Sequence, residues 1–203
     1  MKNEINRFLI TRRLYPSSWK RKFYSNGFYY YNGLRYTFKK VLPYLSGGRA
    51  LDVGAGFGNE TKELLRRNFE VVATDLNPEA VKYLNVVAKH QNLTVLKRSL
   101  PEIPEGRFDL IVCEMVLHFL DKKSVRISIK KMQNMTSNTG LNVISSYVES
   151  PSIRRDPRLK GYFKYLSKPD DLDKAYKGWE ILHSELKRNL MGHESIRFIA
   201  RKK

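Results

Sequence analysis

Three glycines at alternate positions follow a short apolar run and precede a helical pattern. The run ends at Leu51-Asp52-Val53, and the glycines are Gly54, Gly56 and Gly58. This order predicts a strand, a tight turn and the start of a helix, which together bring the backbone close to a nucleotide-like ligand. Glycine is needed in such a turn because a Cβ atom would hold the ligand away.

An acid ends the second predicted strand. Residues 70–75 are Glu-Val-Val-Ala-Thr-Asp, so Asp75 follows Gly58 by 17 residues. In a βαβ unit an acid at this place accepts hydrogen bonds from both hydroxyls of a ribose. Asn77 is predicted to cap the next helix, with Pro78 as its first residue, which leaves Asp75 for a ligand. We therefore predict that Asp75 binds a ribose.

The spacing of the glycines distinguishes two classes of cofactor. A dinucleotide fingerprint, G-x-G-x-x-G, requires a glycine at position 59, where this chain has Asn59. The pattern here is G-x-G-x-G, with Asp52 two residues before the first glycine. It resembles motif I of the class I S-adenosylmethionine-dependent methyltransferases. The resemblance implies S-adenosylmethionine as the cofactor and makes a nicotinamide-dependent dehydrogenase the weakest alternative.

The third predicted strand, residues 93–98, ends at Ser99 and Leu100. Class I methyltransferases often carry an acid after this strand, which meets the adenine amino group. Ser99 is in the matching position here, so its hydroxyl or the backbone of Leu100 is expected to replace that acid.

The fourth predicted strand, residues 107–113, ends beside Glu114 and Met115. Residues 108–114 resemble methyltransferase motif IV, and the carboxyl end of such a strand faces the ligand crevice. Met115 is expected to line the cofactor, and Glu114 the cofactor or the substrate. His118 is a candidate base, with a supporting role in the loop as the alternative.

The complete set of residues predicted to contact the cofactor comes from the ends of the first four strands. The set is Asp52, Gly54, Ala55, Gly56, Gly58, Asn59, Asp75, Leu76, Ser99, Leu100, Glu114 and Met115.

The elements that position these residues alternate between strand and helix. A helix over 34–45, interrupted near Pro43, precedes a first strand at 49–53. Further helices are predicted at 59–68, 79–90, 122–135 and 171–178, and a fifth strand at 141–147 after a turn at 138–140. Residues 179–188 and 194–201 are predicted to form a C-terminal hairpin, and 151–169 a basic, aromatic loop on the substrate side. The pattern predicts an α/β fold with a Rossmann-like, mostly parallel sheet and helices on both faces.

Charge is distributed unevenly over the 203 residues, whose net charge is +18. Residues 1–50 contain 11 Lys or Arg and one acid, residues 51–150 contain 13 and 12, and residues 151–203 contain 14 and 7. Basic flanks favour anionic partners such as nucleic acid, a membrane surface or a small oxyanion, and they also improve solubility. Residues 1–32 mix aromatic and basic side chains, which predicts either a helical lid over the site or a single-strand nucleic-acid contact.

The remaining composition limits the class of protein. No apolar run approaches the ~20 residues of a membrane span, and no apolar leader is evident. Cys113 is the only cysteine, which excludes an internal disulfide and a cysteine-only metal site, and no metal is predicted. We expect a soluble cytoplasmic protein.

Four stretches of the chain resemble the tellurite-resistance methyltransferases. They are Leu-Asp-Val-Gly-Ala-Gly-Phe-Gly-Asn at 51–59, Val-Leu-His-Phe-Leu at 116–120, Tyr-Lys-Gly-Trp-Glu at 176–180 and Arg-Phe-Ile-Ala-Arg-Lys-Lys at 197–203. The resemblance covers about residues 45–203, which we take as the methyltransferase domain, with 1–44 as a separate N-terminal segment. It implies a seven-stranded sheet with one antiparallel strand, and methyl transfer to a small oxyanion or thiol-like acceptor.

Family members carry a histidine–arginine pair on the penultimate strand that faces the acceptor. Here the pair is Lys187-Arg188, so the arginine matches and the histidine does not. A later family arginine is replaced near His193-Glu194. The resemblance therefore implies Arg188 and Lys187 as acceptor contacts.

Two other functions fit the basic flanks. One is an RNA or protein methyltransferase that docks its substrate through them. The other is a non-catalytic nucleic-acid-binding module in which the core serves as a cofactor sensor.

Overall fold

One mixed sheet of seven strands organises the chain, and the computed structural model describes residues 34–189 and 192–203. In chain order the strands are β1 (Gly48–Val53), β2 (Phe69–Thr74), β3 (Leu93–Leu96), β4 (Phe108–Glu114), β5 (Thr136–Tyr147), β6 (Glu180–Arg188) and β7 (Glu194–Arg201). The helices are α1 (Tyr36–Val41), α2 (Asn59–Arg66), α3 (Pro78–Val87), α4 (Lys122–Met135), α5 (Pro151–Arg155) and α6 (Asp171–Ala175). Short 3₁₀ turns occupy Leu42–Tyr44, Leu117–Phe119 and Pro157–Leu159.

The strand order across the sheet is β3-β2-β1-β4-β5-β7-β6. Neighbours from β3 to β5 pair in parallel, and β7 pairs antiparallel with both β5 and β6. The predicted α/β fold, with its mostly parallel sheet and C-terminal hairpin, is confirmed. The carboxyl ends of β1 to β6 therefore share one edge of the sheet, where open α/β sheets bind ligands, and β7 runs in the opposite direction.

Helices cover both faces of the sheet, which explains why its central strands are continuous buried runs. On one face α2 contributes the fully buried Leu64 to a core with Leu110 of β4. On the other face α4 contributes Ile129 and Met132 to a core with Ile111. Successive β4 residues thus enter opposite cores, as the two-residue period of a strand requires.

The first helix is part of the core. Phe38 and Val41 of α1 are fully buried against Ala50, Leu64 and Val143. Helix α1 therefore packs as part of the core, although it lies before residue 45, where the sequence predicted the domain to begin. The predicted lid or nucleic-acid contact over residues 1–32 lies outside the described residues.

One element begins earlier than predicted. The expected turn at 138–140 lies inside β5, which starts at Thr136 directly after α4. The hydroxyl of Thr136 lies 2.7 Å from Met132 O and 2.8 Å from Asn142 Oδ1, so its one proton has two acceptors within reach, which fixes this junction. The pairing of β5 with β4 is irregular here, and Thr139 has a φ of 62°. Residues typical of a turn therefore occupy an irregular part of the strand.

The stretch 151–169 holds α5 and a 3₁₀ turn rather than only a loop. No helix among residues 34–189 and 192–203 combines the length and the apolar character that a bilayer span requires.

We predict that Phe38→Ala lowers the free energy of unfolding by about 3–5 kcal/mol, because it removes a fully buried ring from the core. Lys39→Ala, at the exposed neighbouring position, is the matched control and should change stability by less than about 0.5 kcal/mol. Urea unfolding of both variants measures the difference. A loss below about 1 kcal/mol for Phe38→Ala would show that α1 does not belong to the core.

Candidate functional site

The glycine turn after β1 is bonded to the end of β2. The amides of Gly54 and Ala55 both donate to Thr74 O, at 2.8 and 3.0 Å. The amide of Gly58 donates to Ala55 O at 2.8 Å and closes the turn. Because the turn is fixed in this way, its position relative to β2 does not depend on a ligand.

Each glycine of the motif has a positive φ: 68° for Gly54, 55° for Gly56 and 70° for Gly58. Added Cβ atoms at the first and third would collide with the side chains of Val116 and Leu84. A Cβ at Gly56 would meet no atom within 4 Å. The middle glycine therefore borders open space, as a turn that cradles a cofactor requires.

Asp75 is held against this turn. Its Oδ2 accepts a hydrogen bond from the Gly56 amide and its Oδ1 one from the Asn77 amide, both at 2.8 Å. Burial raises the pKa of Asp75, although these amides oppose the effect. Each oxygen keeps a further lone pair for a ligand. Asn77 accepts from the Glu79 amide at 3.0 Å, so its predicted capping role is confirmed.

Asp52 faces α2 and is almost fully buried. Its Oδ2 accepts a hydrogen bond from the Thr61 hydroxyl at 2.6 Å. Burial, followed by the nearby charge of Glu60, raises the pKa of Asp52 to about 7. The contact with Thr61 fastens α2 to β1, so Asp52 positions the glycine turn.

Glu114 lies at the end of β4 with 5% of its surface exposed. Neither carboxylate oxygen accepts a hydrogen bond of normal geometry from any of the described residues. The nearest cation is Arg35, whose Nε lies 3.9 Å from Oε2. Burial and the charge of Glu60 raise the pKa of Glu114 to about 8, against the opposing effects of Arg35 and Thr37. A buried carboxyl without such bonds is costly, which is typical of a group that awaits a ligand.

Arg35 is a site residue that the sequence did not reveal. Its amide donates to Glu60 Oε1 at 2.9 Å, which fixes the backbone just before α1. Its side chain is 41% exposed. Its charge adds to the burial that lowers the pKa of His118 and opposes the burial that raises the pKa of Tyr147. No sequence motif connects Arg35 with Glu114 of β4, because the two residues meet only when α1 packs on the sheet.

Met115 turns the chain at the end of β4 with a φ of 62°. Its amide donates to Ser145 O at 2.7 Å. A left-handed conformation at a residue other than glycine costs about 1–3 kcal/mol and is frequent at functional sites. The half-buried side chain is therefore held at the crevice edge, where the sequence predicted a cofactor contact.

The other predicted cofactor contacts differ in accessibility. Asn59 is the first residue of α2 and, like Ser99, is half-buried. Leu76 is 62% exposed, beside Asp75. Leu100 packs into the core, so only its backbone remains available for the predicted adenine contact.

His118 is 2% exposed. Its Nδ1 accepts from the Tyr147 amide at 3.3 Å and lies 3.1 Å from Ser146 Oγ, so in the neutral ring the proton is on Nε2. Burial, and then the charge of Arg35, lower the pKa of His118 to about 3. This geometry gives no support to the predicted role as a base and favours the supporting role.

Arg188 and Lys187 end the edge strand β6. Their charges are paired, Arg188 with Glu194 at 2.7 Å and Lys187 with Glu185 at 2.9 Å. They lie at the expected edge of the sheet, but β6 is four strands from β1, or about 19 Å. The structure does not bring them beside the glycine turn.

The family model described as "Tellurite resistance protein TehB" matches residues 20–192. The chain belongs to the TehB family. The resemblance to tellurite-resistance methyltransferases that was drawn from four short stretches is thus confirmed.

Two curated relatives illustrate the relationship. The protein named probable S-adenosyl-L-methionine-dependent methyltransferase TehB from Haemophilus influenzae is 28% identical over 142 residues, or 68% of this chain. The chain spans about half the length of this relative, 48%. A ubiquinone biosynthesis O-methyltransferase from Methylococcus capsulatus is 31% identical over 100 residues, covering 46% of this chain and 42% of that protein.

Solved structures share the fold. TehB from Haemophilus influenzae superposes with a TM-score of 0.71 at 23% identity, covering 90% of this chain and 67% of that one. The magnesium protoporphyrin IX methyltransferase of Synechocystis, solved with bound S-adenosylhomocysteine, has a TM-score of 0.68 at 17% identity and coverages of 96% and 99%. The class I methyltransferase fold expected from the sequence is therefore confirmed.

We predict that Glu114 makes stability decrease as the pH rises. Its native pKa of about 8 exceeds the value of about 4.3 in an unfolded chain. At pH values between these two, the native state binds a proton that the unfolded state does not bind. Above this window the buried carboxylate is charged and costs stability. The free energy of unfolding of Glu114→Gln minus that of wild type should therefore increase by about 2 kcal/mol or more from about pH 5 to about pH 9.

Urea unfolding at several pH values measures this gain, with the exposed Glu105→Gln as the matched control. Parallel stability curves for wild type and Glu114→Gln would contradict the assignment.

Proposed function

We propose that this chain transfers a methyl group from S-adenosylmethionine to a small-molecule acceptor. The observation that carries the proposal is the open space in front of Gly56, whose amide is bonded to Asp75 at the end of β2. Glu114, with Arg35 beside it, ends β4, which is the other neighbour of β1 in the sheet. Membership in the TehB family and the names of the relatives support the enzyme class and the cofactor. Residues 34–203 are proposed to contain the methyltransferase domain.

The polar groups of the site match the polar groups of the cofactor. Asp75 would accept hydrogen bonds from the ribose hydroxyls, and the glycine turn would lie along the methionine end. That end carries a carboxylate and an ammonium group, which Arg35 and Glu114 complement in charge. Met115, Leu76 and Ser99 would flank the adenine. This assignment gives hydrogen-bond donors to Glu114, whose oxygens accept no such bond from the described residues, and an anion to the half-exposed Arg35.

The chain would act by positioning and by excluding water. When bound, S-adenosylmethionine supplies a methyl group on a sulfonium, which is already activated toward a nucleophile. Alignment of the acceptor with that methyl group can supply most of the acceleration. A neutral, buried His118 is consistent with a reaction that takes no proton at this position.

Two acceptor types were expected, a small anion and a thiol-like group. The cations proposed to hold an anion, Arg188 and Lys187, are already paired with carboxylates. We therefore favour the thiol-like acceptor.

We predict that Arg35→Gln weakens the binding of S-adenosylhomocysteine about tenfold or more, because a charge-assisted hydrogen bond to the carboxylate is lost. Arg35→Lys should retain part of the affinity, since it keeps the charge without the planar fork. Lys39→Gln on the adjacent helix is the control. Titration calorimetry measures the affinities, and a wild-type Kd for Arg35→Gln would refute this contact.

The reaction itself is tested with methyl-labelled S-adenosylmethionine and a fractionated cell extract. We expect label in the small-molecule fraction with wild type, and almost none with Gly56→Ala, whose Cβ enters the space in front of the turn. Gly178→Ala is the matched control, because Gly178 also has a positive φ and open space but lies before β6, away from the site. Its activity should stay close to wild type.

Other distributions of the label would overturn the proposal. Label in RNA or protein, with binding that weakens steeply as salt increases, would indicate the macromolecular substrate that the +18 charge allows. Tight S-adenosylhomocysteine binding with no label in any fraction would favour a cofactor sensor.

A further inference from the structure

Five rings lie together where the chain leaves β4 and β5. We call them the aromatic cluster: His118, Phe119, Tyr147, Tyr162 and Phe163. Their neighbouring centroids are 4.3 Å (His118–Phe119) to 6.0 Å (Phe119–Phe163) apart, and most pairs are edge-on or tilted. Two come from the 3₁₀ turn after β4, one from the end of β5 and two from the stretch after α5. The fold thus gathers rings from three separate segments at one place.

The aromatic cluster borders the proposed cofactor site. His118 follows Met115 by three residues. The guanidinium of Arg35, whose Nε lies 3.9 Å from Glu114 Oε2, also acts on the rings. Its charge adds to the burial that lowers the pKa of His118 and opposes the burial that raises the pKa of Tyr147. One cation therefore adjoins both the carboxylate at the end of β4 and the rings. Under the proposed function, an acceptor would reach the cofactor from this edge of the sheet.

Rings of the aromatic cluster differ in exposure. His118 is buried and fills the interior, whereas Phe119 is 39% exposed and Tyr162 is half-buried. A large apolar ring that remains partly exposed beside a ligand crevice is available to pack against a ligand. A contact between two aromatic rings contributes about 0.5–1.5 kcal/mol of stabilisation in addition to the burial of their apolar surface.

Of the arginines near the aromatic cluster, two are paired with carboxylates, whereas Arg35 is 41% exposed and its charge acts on two of the rings. His118 is neutral because its pKa is low. Arg154, on the adjacent helix α5, is paired with Glu149, and Arg188 is paired with Glu194. Among the described residues, these cations therefore have carboxylate partners.

We propose that the aromatic cluster is the acceptor subsite, and that the acceptor carries its nucleophile on a planar ring as a thiol that reacts as the thiolate, after it has lost its proton to solvent. This inference rests on the proposed methyltransferase function and narrows its substrate class. Phe119 and Tyr162 would contact the ring directly, and His118 would hold the inner rings in place.

The test compares two thiols that differ only in the planarity of the ring, phenylmethanethiol and cyclohexylmethanethiol. Their binding to the protein saturated with S-adenosylhomocysteine is measured by ligand-observed NMR. We expect wild type to prefer the planar ring by about fivefold or more. Phe119→Leu and Tyr162→Leu keep an apolar side chain and should abolish this preference. Tyr44→Leu, at an exposed ring on the 3₁₀ turn after α1, should retain it.

The affinity for S-adenosylhomocysteine separates this inference from the proposed function. It should be unchanged in all three variants, which also shows that they are folded. Equal binding of the two thiols, binding of neither, or a preference that survives both Leu substitutions would overturn the acceptor subsite. Tellurite is then added as a competitor to wild type and to Arg154→Gln. Displacement of the planar thiol from wild type but not from Arg154→Gln would indicate an anion site and would overturn the proposal. Loss of S-adenosylhomocysteine binding by wild type would refute the function itself.

Discussion

The junction between the glycine turn and the end of β2 is the contact on which the rest of the site depends. Gly54 and Ala55 donate to Thr74 O, and Gly56 donates to Asp75 Oδ2. These bonds cross between two parallel strands, so they form only when β1 and β2 are paired in register. The sheet therefore fixes the distance between the turn and the acid, and a ligand that spans both meets a preformed surface.

Buried carboxyl groups are the second feature of the site. Asp52, Glu60 and Glu114 approach one another between the sheet and the first two helices, where Arg35 is a neighbouring cation and Thr61 and Thr37 offset part of the charge. Such an arrangement costs stability, because each carboxylate loses hydration and repels the others. A cationic ligand group would relieve that cost, which couples binding to protonation. The aromatic cluster, by contrast, is neutral and apolar.

The sequence was sufficient for the parts of the site that follow from local pattern. The glycine spacing, Asp75 at a strand end and the Asn77 cap depend on neighbours in sequence, and each lies where the pattern predicted. Arg35 was missed because its partner Glu114 is 79 residues away and α1 alone brings them together. The role of Lys187 and Arg188 as acceptor contacts stays a prediction from the resemblance, because sequence does not show that β6 is the outermost strand or that local carboxylates pair with them.

The most direct test is a crystal structure of the chain with S-adenosylhomocysteine. We expect the ribose hydroxyls at hydrogen-bond distance, about 2.6–3.2 Å, from Asp75, and the amino-acid end between Arg35 and Glu114. The sulfur should point toward the aromatic cluster. A molecule bound elsewhere, or one whose ribose makes no contact with Asp75, would contradict the account.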